Sequence, residues 1–298
     1  NAPKVAYKIQ QIANAYGIPT TVGASFSNGK LYANQFYPAM TLGGTYALNN
    51  SVSVSAGARA VYMIRKYRGE ATYAVTGAAA LGITSYKLQA CADETAFGVG
   101  GIFGVDIRPV EKLNIGLRFD TPVMLNAKTE GEGTKDFGGL FKDGEKRRKD
   151  LPAVIAGGAS YGLGGFMFST SADVFLIGLS DQGKDDGTLY SNGYDDDFDS
   201  IGYEISASVE YAVVPDFLKV SAGYMYDKVG GSTKTYSDFD FSLDSHSFGT
   251  GAKVAFMDNL EGTLSGARVF YKKGHNEAGT EYKKAVYMFA VGLDYRFQ

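Results

Sequence analysis

The residue types that usually carry catalysis are scarce in this chain. Its 298 residues include two histidines, His246 and His275, and a single cysteine, Cys91. One thiol can form neither an intramolecular disulfide nor a cysteine metal cluster. The sequence contains no phosphate-binding loop, no G-x-S-x-G motif and no H-E-x-x-H motif. It therefore predicts a protein that is not an enzyme, has no catalytic residues and needs no cofactor.

Other residues could bind a molecule without reacting with it. Methionine adapts to irregular apolar shapes, and Arg59 and Arg118 could pair with an acidic group on a bound molecule. The candidates for lining an apolar pocket are Met63, Met124, Met167, Phe175 and Met225. The alternative for the apolar set is ordinary packing inside the fold. The alternative for the arginines is ion pairing with carboxylates of the chain itself, since a charge in an enclosed space must be paired or wet.

A metal site is not predicted. The stretch Asp181–Gly187 reads Asp-Gln-Gly-Lys-Asp-Asp-Gly, which is similar in composition to a calcium loop. Its acidic residues do not have the spacing of EF-hand ligands.

β-strands must position these candidates, because apolar and polar residues alternate over most of the chain. Near the C-terminus, Tyr287, Phe289 and Val291 alternate with small or polar residues. Successive side chains of a strand point to opposite faces, so such a strand has one apolar face. The same pattern predicts eleven strands, at 36–48, 52–65, 94–107, 113–125, 151–161, 164–177, 201–213, 218–226, 248–256, 260–272 and 285–297. A twelfth could lie at 19–27.

The alternation also assigns a face to each candidate. The methionines, Phe175 and the cations fall on the polar faces, which are expected to point inward. The inward cations by this rule are Arg59, Arg65, Arg118, Lys253, Arg268 and Arg296.

Short and long connections alternate between the predicted strands. The short ones carry turn-forming residues, such as Asn49-Asn50 and Pro215-Asp216. The long ones lie at about 66–93, 127–150, 179–199, 229–244 and 274–283. Transmembrane barrels of outer membranes have this asymmetry between their two ends.

Composition narrows the class further. No run of eighteen apolar residues occurs, which excludes a membrane-spanning helix. The net charge is −3 and the pI is near 5.5, so the chain lacks the excess of basic residues that is typical of nucleic-acid-binding proteins. The 39 glycines, 21 tyrosines and 19 phenylalanines suit crowded strands with aromatic girdles. We therefore predict an all-β, transmembrane antiparallel β-barrel in the cell outer membrane. A soluble sandwich or lipocalin-like barrel is the alternative.

One of the long connections is unusually apolar. Its segment Tyr73–Leu88 reads YAVTGAAALGITSYKL. Tyr73, Leu81 and Tyr86 could form a groove that captures an apolar molecule. An extended hairpin of strands above the membrane is the alternative.

Several stretches resemble the FadL-type transporters of hydrophobic compounds. In that family a hairpin ends in P-x-x-x-L-x-I/F-G-x-x-Y/F-R/D-S/T-P/E-V, which Pro109–Val123 matches, and Leu-Pro opens the next strand, as Leu151-Pro152 does. The similar stretches are Met40–Tyr62, Phe97–Lys128 and Leu151–Tyr161. The resemblance covers roughly residues 36–298. It implies passive uptake of long-chain fatty acids or other hydrophobic small molecules through the barrel, with lateral release. A porin or solute channel, or a barrel that displays loops for adhesion or assembly, remains an alternative.

The resemblance also implies fourteen strands and an N-terminal hatch, and no hatch is recognisable before Thr20. We therefore expect either a fragment or a barrel of twelve strands. Residues 1–35 are predicted to be an N-terminal segment and residues 36–298 the barrel. Apolar residues at helical spacing predict a helix over the first seventeen residues. That helix could be a loop helix, which we favour, or could pack over the barrel mouth.

Two charged loops suggest lipid partners. Asp195–Asp199 could bridge to lipopolysaccharide through divalent ions, and Lys142–Lys149 could touch anionic lipid head groups. The sequence predicts no nucleic-acid partner and does not determine the oligomeric state.

Overall fold

The computed structural model describes residues 2–136, 143–181, 199–234, 236, 241–277 and 279–296. Within them the chain forms a helix, α1 (Ala2–Ala15), and 3-10 turns at Ala79–Leu81 and Ile177–Leu179. The strands are β1 (Gly23–Phe36), β2 (Ala39–Ala47), β3 (Val52–Thr76), β4 (Ser85–Val110), β5 (Leu113–Asp120), β6 (Asn126–Asp136), β7 (Lys146–Arg148), β8 (Ala153–Leu163), β9 (Phe166–Leu176), β10 (Gly202–Val214), β11 (Leu218–Lys228), β12 (Ser245–Met257), β13 (Leu260–Tyr271), β14 (Gly274–His275), β15 (Glu281–Tyr282) and β16 (Ala285–Tyr295). No helix in these ranges is long and apolar enough to cross a membrane.

One antiparallel sheet contains nearly all of these strands. Its hydrogen-bonded order is β1-β3-β4-β5-β8-β9-β10-β11-β12-β13-β16, while β2 also pairs with β3, and β6 with β4 and β7. One face, the outer face, carries the exposed aromatic and aliphatic side chains. The opposite, inner face carries mostly glycine, serine, alanine and charged residues. This confirms the predicted all-β, antiparallel architecture. The large sheet is called the wall below.

The first wall strand is longer than the sequence suggested. Phe36 pairs with Ile64 and Ala39 pairs with Val61, so β1 and β2 follow β3 in one continuous register. The two are separated at Pro38, which has no N–H to donate to a ladder. Residues 19–27 are therefore not an additional twelfth strand. The residues from Gly23 onward belong to the first wall strand. The prediction had begun this strand only at residue 36.

The predicted long connection 66–93 is mostly strand as well. β3 and β4 continue together beyond the predicted strand ends, with Arg65 opposite Glu94 and Tyr73 opposite Tyr86. Beyond Arg65 the apolar residues change face, so that Tyr67 and Tyr73 are buried on the inner face. In this extension the outer face is polar and the inner face is apolar. The apolar inner face must therefore be covered by another part of the chain.

Helix α1 supplies this cover. Its residues Val5, Ile9 and Ala13 are buried against the β3–β4 extension and fall on one helical face. The extension residues that pack in the same cluster are Tyr67, Ala71, Tyr73, Val75, Ala78 and Ala92. The helix thus lies on the inner side of the wall at the mouth, rather than standing apart as a loop helix. The division into residues 1–35 and 36–298 stays a prediction, although β1 is part of the sheet.

Gln10 fixes the helix to the first strand. Its Nε2 donates to the Thr20 carbonyl at 2.9 Å, and its Oε1 accepts from the Val22 N–H at 2.8 Å. Gln10→Ala removes both bonds and leaves a buried N–H without an acceptor, which costs about 1–3 kcal/mol. We expect lower unfolding free energy in urea and faster exchange of the Val22 amide. Gln11→Ala, on the exposed side of the same helix, is the control and should change neither.

The two edges of the sheet run in the same direction. The wall strands alternate in direction from the β1–β2 strand to β16, and no pairing between these two edges occurs in the described residues. Both edge strands are also exposed along nearly their whole length. Antiparallel pairing cannot join two edges that run the same way.

Candidate functional site

The outer face of the wall is a lipid-facing surface. On β16, Phe289 and Val291 are 84% and 83% exposed, and they lie between Tyr287 and Tyr295. These tyrosines are separated by roughly 26 Å along the strand, at about 3.3 Å per residue. This spacing matches the apolar band of about 25 Å that aromatic girdles flank in membrane barrels. An exposed apolar surface of this extent, flanked by aromatic residues, is typical of a membrane-contacting face.

The inner face of the β9–β16 half forms a hollow of about 650 Å³. Its inward residues include Ser169, Ser206, Ser208, Ser221, Gly223, Ser247, Gly249 and Ser265, together with Met167, Met225 and Met288. The structure thus places two of the predicted pocket residues, Met167 and Met225, on one concave surface. Phe175 lies higher on β9, opposite Gly202, and is half-buried. Their role in ligand binding stays a prediction.

The wall is interrupted between β4 and its neighbour. β4 pairs with β5 as far as Ile102 and Asp120, and with β6 again from Thr95 and Lys128. Between these points the described β4 residues 96–101 have no strand partner on this side. The hydrogen bonds on this side are made by Thr121. Its N–H donates to the Gly101 carbonyl at 2.9 Å, and its Oγ1 accepts from the Gly101 N–H at 2.8 Å.

The chain turns inward at this interruption, over residues 121–125, the inward segment. Val123 and Leu125 are 5% and 0% exposed and pack with Met63, which is fully buried. The other members of this inner cluster are Val61, Ala96 and Ala127, with Tyr37 and Leu151 at its edge. An apolar plug therefore lies directly inside the gap in the wall.

Glycines on β4 make room for the inward segment. A Cβ on Gly98 would overlap the Met124 carbonyl oxygen and lie 2.7 Å from Val123 Cγ1. A Cβ on Gly100 would lie 2.9 Å from Val123 Cγ2. Only glycine permits the segment to approach β4 this closely.

The predicted strand 113–125 is wrong at its end. The sequence alternation placed Val123 and Leu125 on the lipid face and Met124 on the inner face. The Thr121-Pro122 step shifts the alternation by one residue, which exchanges the two faces. Met124 is consequently 66% exposed on the side opposite the buried pair.

Carboxylates hold both ends of the inward segment. Below it, Asp120 pairs with Arg59 Nη1 at 3.2 Å and with Arg118 Nε at 3.1 Å, and its side chain is 8% exposed. Above it, the buried Asp150 accepts the Leu125 N–H at 2.9 Å and also binds Arg148. Arg59 and Arg118 are thus brought together, but as partners of Asp120.

Tyr73, Leu81 and Tyr86 meet in the cluster under helix α1. Tyr73 is buried, and its ring makes an edge contact with Phe26 at 5.9 Å between centroids. Leu81 and Tyr86 pack beside it. Packing against the helix accounts for the apolar character of this segment, and a capture role stays a prediction.

The strand register shows that the predicted inward position of Arg268 is wrong. Arg268 pairs with Phe248 on β12 and with Tyr287 on β16, both of which lie on the outer face. Sequence reasoning also missed the buried Asp150 and Glu94, because a carboxylate in a polar stretch gives no sign of burial. The signals that could have shown the interruption are the Gly98, Gly100 and Gly101 cluster and the Thr121-Pro122 step.

No metal centre is found in the described part of the chain, where no group of three or more His, Cys, Asp or Glu is arranged to hold an ion. The acidic residues 195–197, most of the Asp181–Gly187 stretch and Lys142 lie outside the described residues.

The fold can be compared with known proteins. No protein-family model matches the sequence, and no curated protein sequence matches it. Among solved structures, a Pseudomonas aeruginosa FadL homologue is similar with a TM-score of 0.61 and 14% identity, over 93% of this chain and 74% of that one. The P. putida toluene transporter TodX gives a TM-score of 0.54 and 11% identity, over 93% and 77%. The Ralstonia pickettii toluene transporter TbuX gives 0.53 and 12%, over 92% and 76%.

The chain has the FadL-type fold. Identities this low establish architecture and not activity. The FadL-type architecture and the apolar outer band are those of an outer-membrane barrel.

Proposed function

We propose that this FadL-type chain carries hydrophobic small molecules across the outer membrane by passive diffusion. The observation that carries the proposal is the buried apolar cluster of Met63, Val123 and Leu125 beside an interruption of the wall. The TodX and TbuX structures, which are described as toluene transporters, support the same class of cargo.

The interruption gives such a molecule a lateral path. Phe97 and Val99 flank the gap on the outer face and are 63% and 55% exposed, which puts the gap at the level of the hydrocarbon. Moving apolar surface through water costs about 25 cal/mol per Å². A cargo that leaves the inner face sideways avoids this cost, since it passes from an apolar cluster into lipid. We therefore include lateral release in the proposal.

The charges of the inner face favour neutral cargo over fatty acids. Asp173, Glu204 and Asp227 lie side by side in register on β9, β10 and β11. Directly opposed residues lie about 5 Å apart, so the three carboxyl groups form one acidic strip, which is a poor contact surface for the carboxylate of a fatty acid. Arg59 and Arg118, the candidate partners for an acidic head group, already pair with Asp120. Neutral hydrocarbons are therefore the proposed cargo, and long-chain fatty acids are the alternative to be tested.

Uptake by cells with and without the protein tests the proposal. We expect labelled toluene to enter several-fold faster when the protein is present, and labelled palmitate to enter less readily. Planar bilayers containing the purified protein should show no steady ion conductance. Steady conductance without toluene uptake would instead favour a porin. Normal hydrocarbon uptake in cells lacking the protein would favour a role in display.

A further inference from the structure

We propose that the outer wall around Arg268 binds the phosphate group of an outer-leaflet lipid. The residues concerned are called the girdle patch and comprise Tyr224, Tyr226, His246, Arg268, Lys272 and Tyr287. This site is distinct from the inward segment and does not depend on the proposed cargo.

Register and exposure place Arg268 among lipid-facing residues. Its cross-strand neighbours Phe248 and Tyr287 are 55% and 60% exposed. All three lie towards the end of the wall that carries the long connections, which is the extracellular end in outer-membrane barrels. Below them, Leu264 and Phe289 continue the exposed apolar surface. Arg268 thus lies in the aromatic girdle next to the outer leaflet.

The charge of Arg268 is not neutralised within the described residues. Its Cζ lies 4.4 Å from the ring centroid of Phe270 and 5.2 Å from that of Tyr287. These cation–π contacts orient the guanidinium but leave its positive charge facing the lipid. Such a charge destabilises a membrane barrel increasingly with depth. A phosphate oxygen pair fits the planar guanidinium fork and would remove this cost.

Neighbouring groups complete a head-group surface. Lys272 lies two residues beyond Phe270, on the same face. Its Nζ donates to Tyr226 Oη at 2.9 Å and lies 3.4 Å from Asp244 Oδ2. Tyr224 Oη and His246 Nδ1 share a hydrogen bond of 2.7 Å. Because Asp244 already balances Lys272, Arg268 is the main contact and Lys272 is at the rim.

The order of these groups identifies a lipid as the ligand. The charged and hydroxyl groups of the patch lie level with the rings of Phe248 and Tyr287 or further out, and exposed aliphatic side chains such as Leu264 and Val291 lie below them. A phosphate-bearing lipid has the same order from head group to acyl chains. Lipid A, the membrane anchor of lipopolysaccharide, is the matching probe.

Native mass spectrometry of the detergent-solubilised protein tests this site. Lipid A with its phosphates should be retained better than lipid A from which the phosphates have been removed. Arg268→Gln should weaken retention about fivefold, the effect of one basic residue at an anionic lipid surface. Arg268→Lys keeps the charge but loses the two-pronged contact, so it should bind between the wild type and Arg268→Gln. Arg296→Gln, at the opposite end of the wall beside Glu261, is the matched control and should bind like the wild type.

Two results would overturn the proposal. One is equal retention of the phosphorylated and dephosphorylated lipids by the wild type, a comparison that needs no variant to fold. The other is displacement of the lipid by inorganic phosphate alone, which would mean that the patch is a site for the free ion.

Discussion

Leu125→Ala is expected to lower the stability of the protein and to raise its transport rate together. Leu125 is fully buried and packs with Met63 and Val123 on the inner side of the wall interruption. Removing such a leucine costs about 2–5 kcal/mol, because the surrounding side chains only partly fill the cavity. The same cavity opens the apolar plug between the inner face and the gap. We expect toluene uptake to rise several-fold while the urea midpoint falls.

A second buried leucine separates the two effects. Leu243 is 3% exposed and lies in the connection before β12, away from the inward segment. Leu243→Ala should lower stability comparably without raising uptake. If both variants lose stability and neither gains uptake, the cluster around Leu125 is structural packing and the lateral route is refuted. If both gain uptake equally, the gain reflects general loosening of the protein.

Much of the wall could be predicted from the sequence because its rule is local. Side chains of each strand point alternately to lipid and to the interior. The face of Tyr287, Phe289 and Val291 can therefore be assigned without knowing which strands lie beside them. The wall strands β8 to β13 and β16 follow the predicted ranges to within a few residues, whereas the short strands β14 and β15 lie in the predicted connection 274–283. Long, regular, two-faced strands leave little for tertiary context to change.

The site was predicted poorly because it breaks that rule. A shift of one residue at Thr121-Pro122 exchanges the faces of the residues that follow it in the predicted strand 113–125, and counting alternate residues cannot detect such a shift. Arg268 was misplaced because the alternation in 260–272 is ambiguous: Leu264 and Phe270 fall on one alternating set, and Val269 and Tyr271 on the other. The apolar stretch Tyr73–Leu88 was ambiguous because its cover, helix α1, is distant in sequence.

Asp150→Ala should be among the most destabilising single substitutions in the described wall. The Asp150 side chain is 3% exposed, and its oxygens accept the N–H groups of Leu125 and Asp181 while binding Arg148. Removing one partner of a buried pair costs about 3–5 kcal/mol, because the groups left behind lose their partners away from water. The inward segment would also lose its upper anchor. We expect a large fall in unfolding free energy in urea and faster exchange of the Leu125 amide.

Comparison with an exposed aspartate shows whether burial is the cause. Asp143 accepts the Gly131 N–H at 3.0 Å, in the same type of backbone hydrogen bond, but at an exposed position. Asp143→Ala should change stability by only about 0.5 kcal/mol, as is usual for surface positions. Asp150→Asn keeps a carbonyl oxygen for Leu125 and should lie between the two. If Asp150→Ala is no worse than Asp143→Ala, then the inward segment is held by the apolar cluster alone, and Leu125 rather than Asp150 determines where the wall opens.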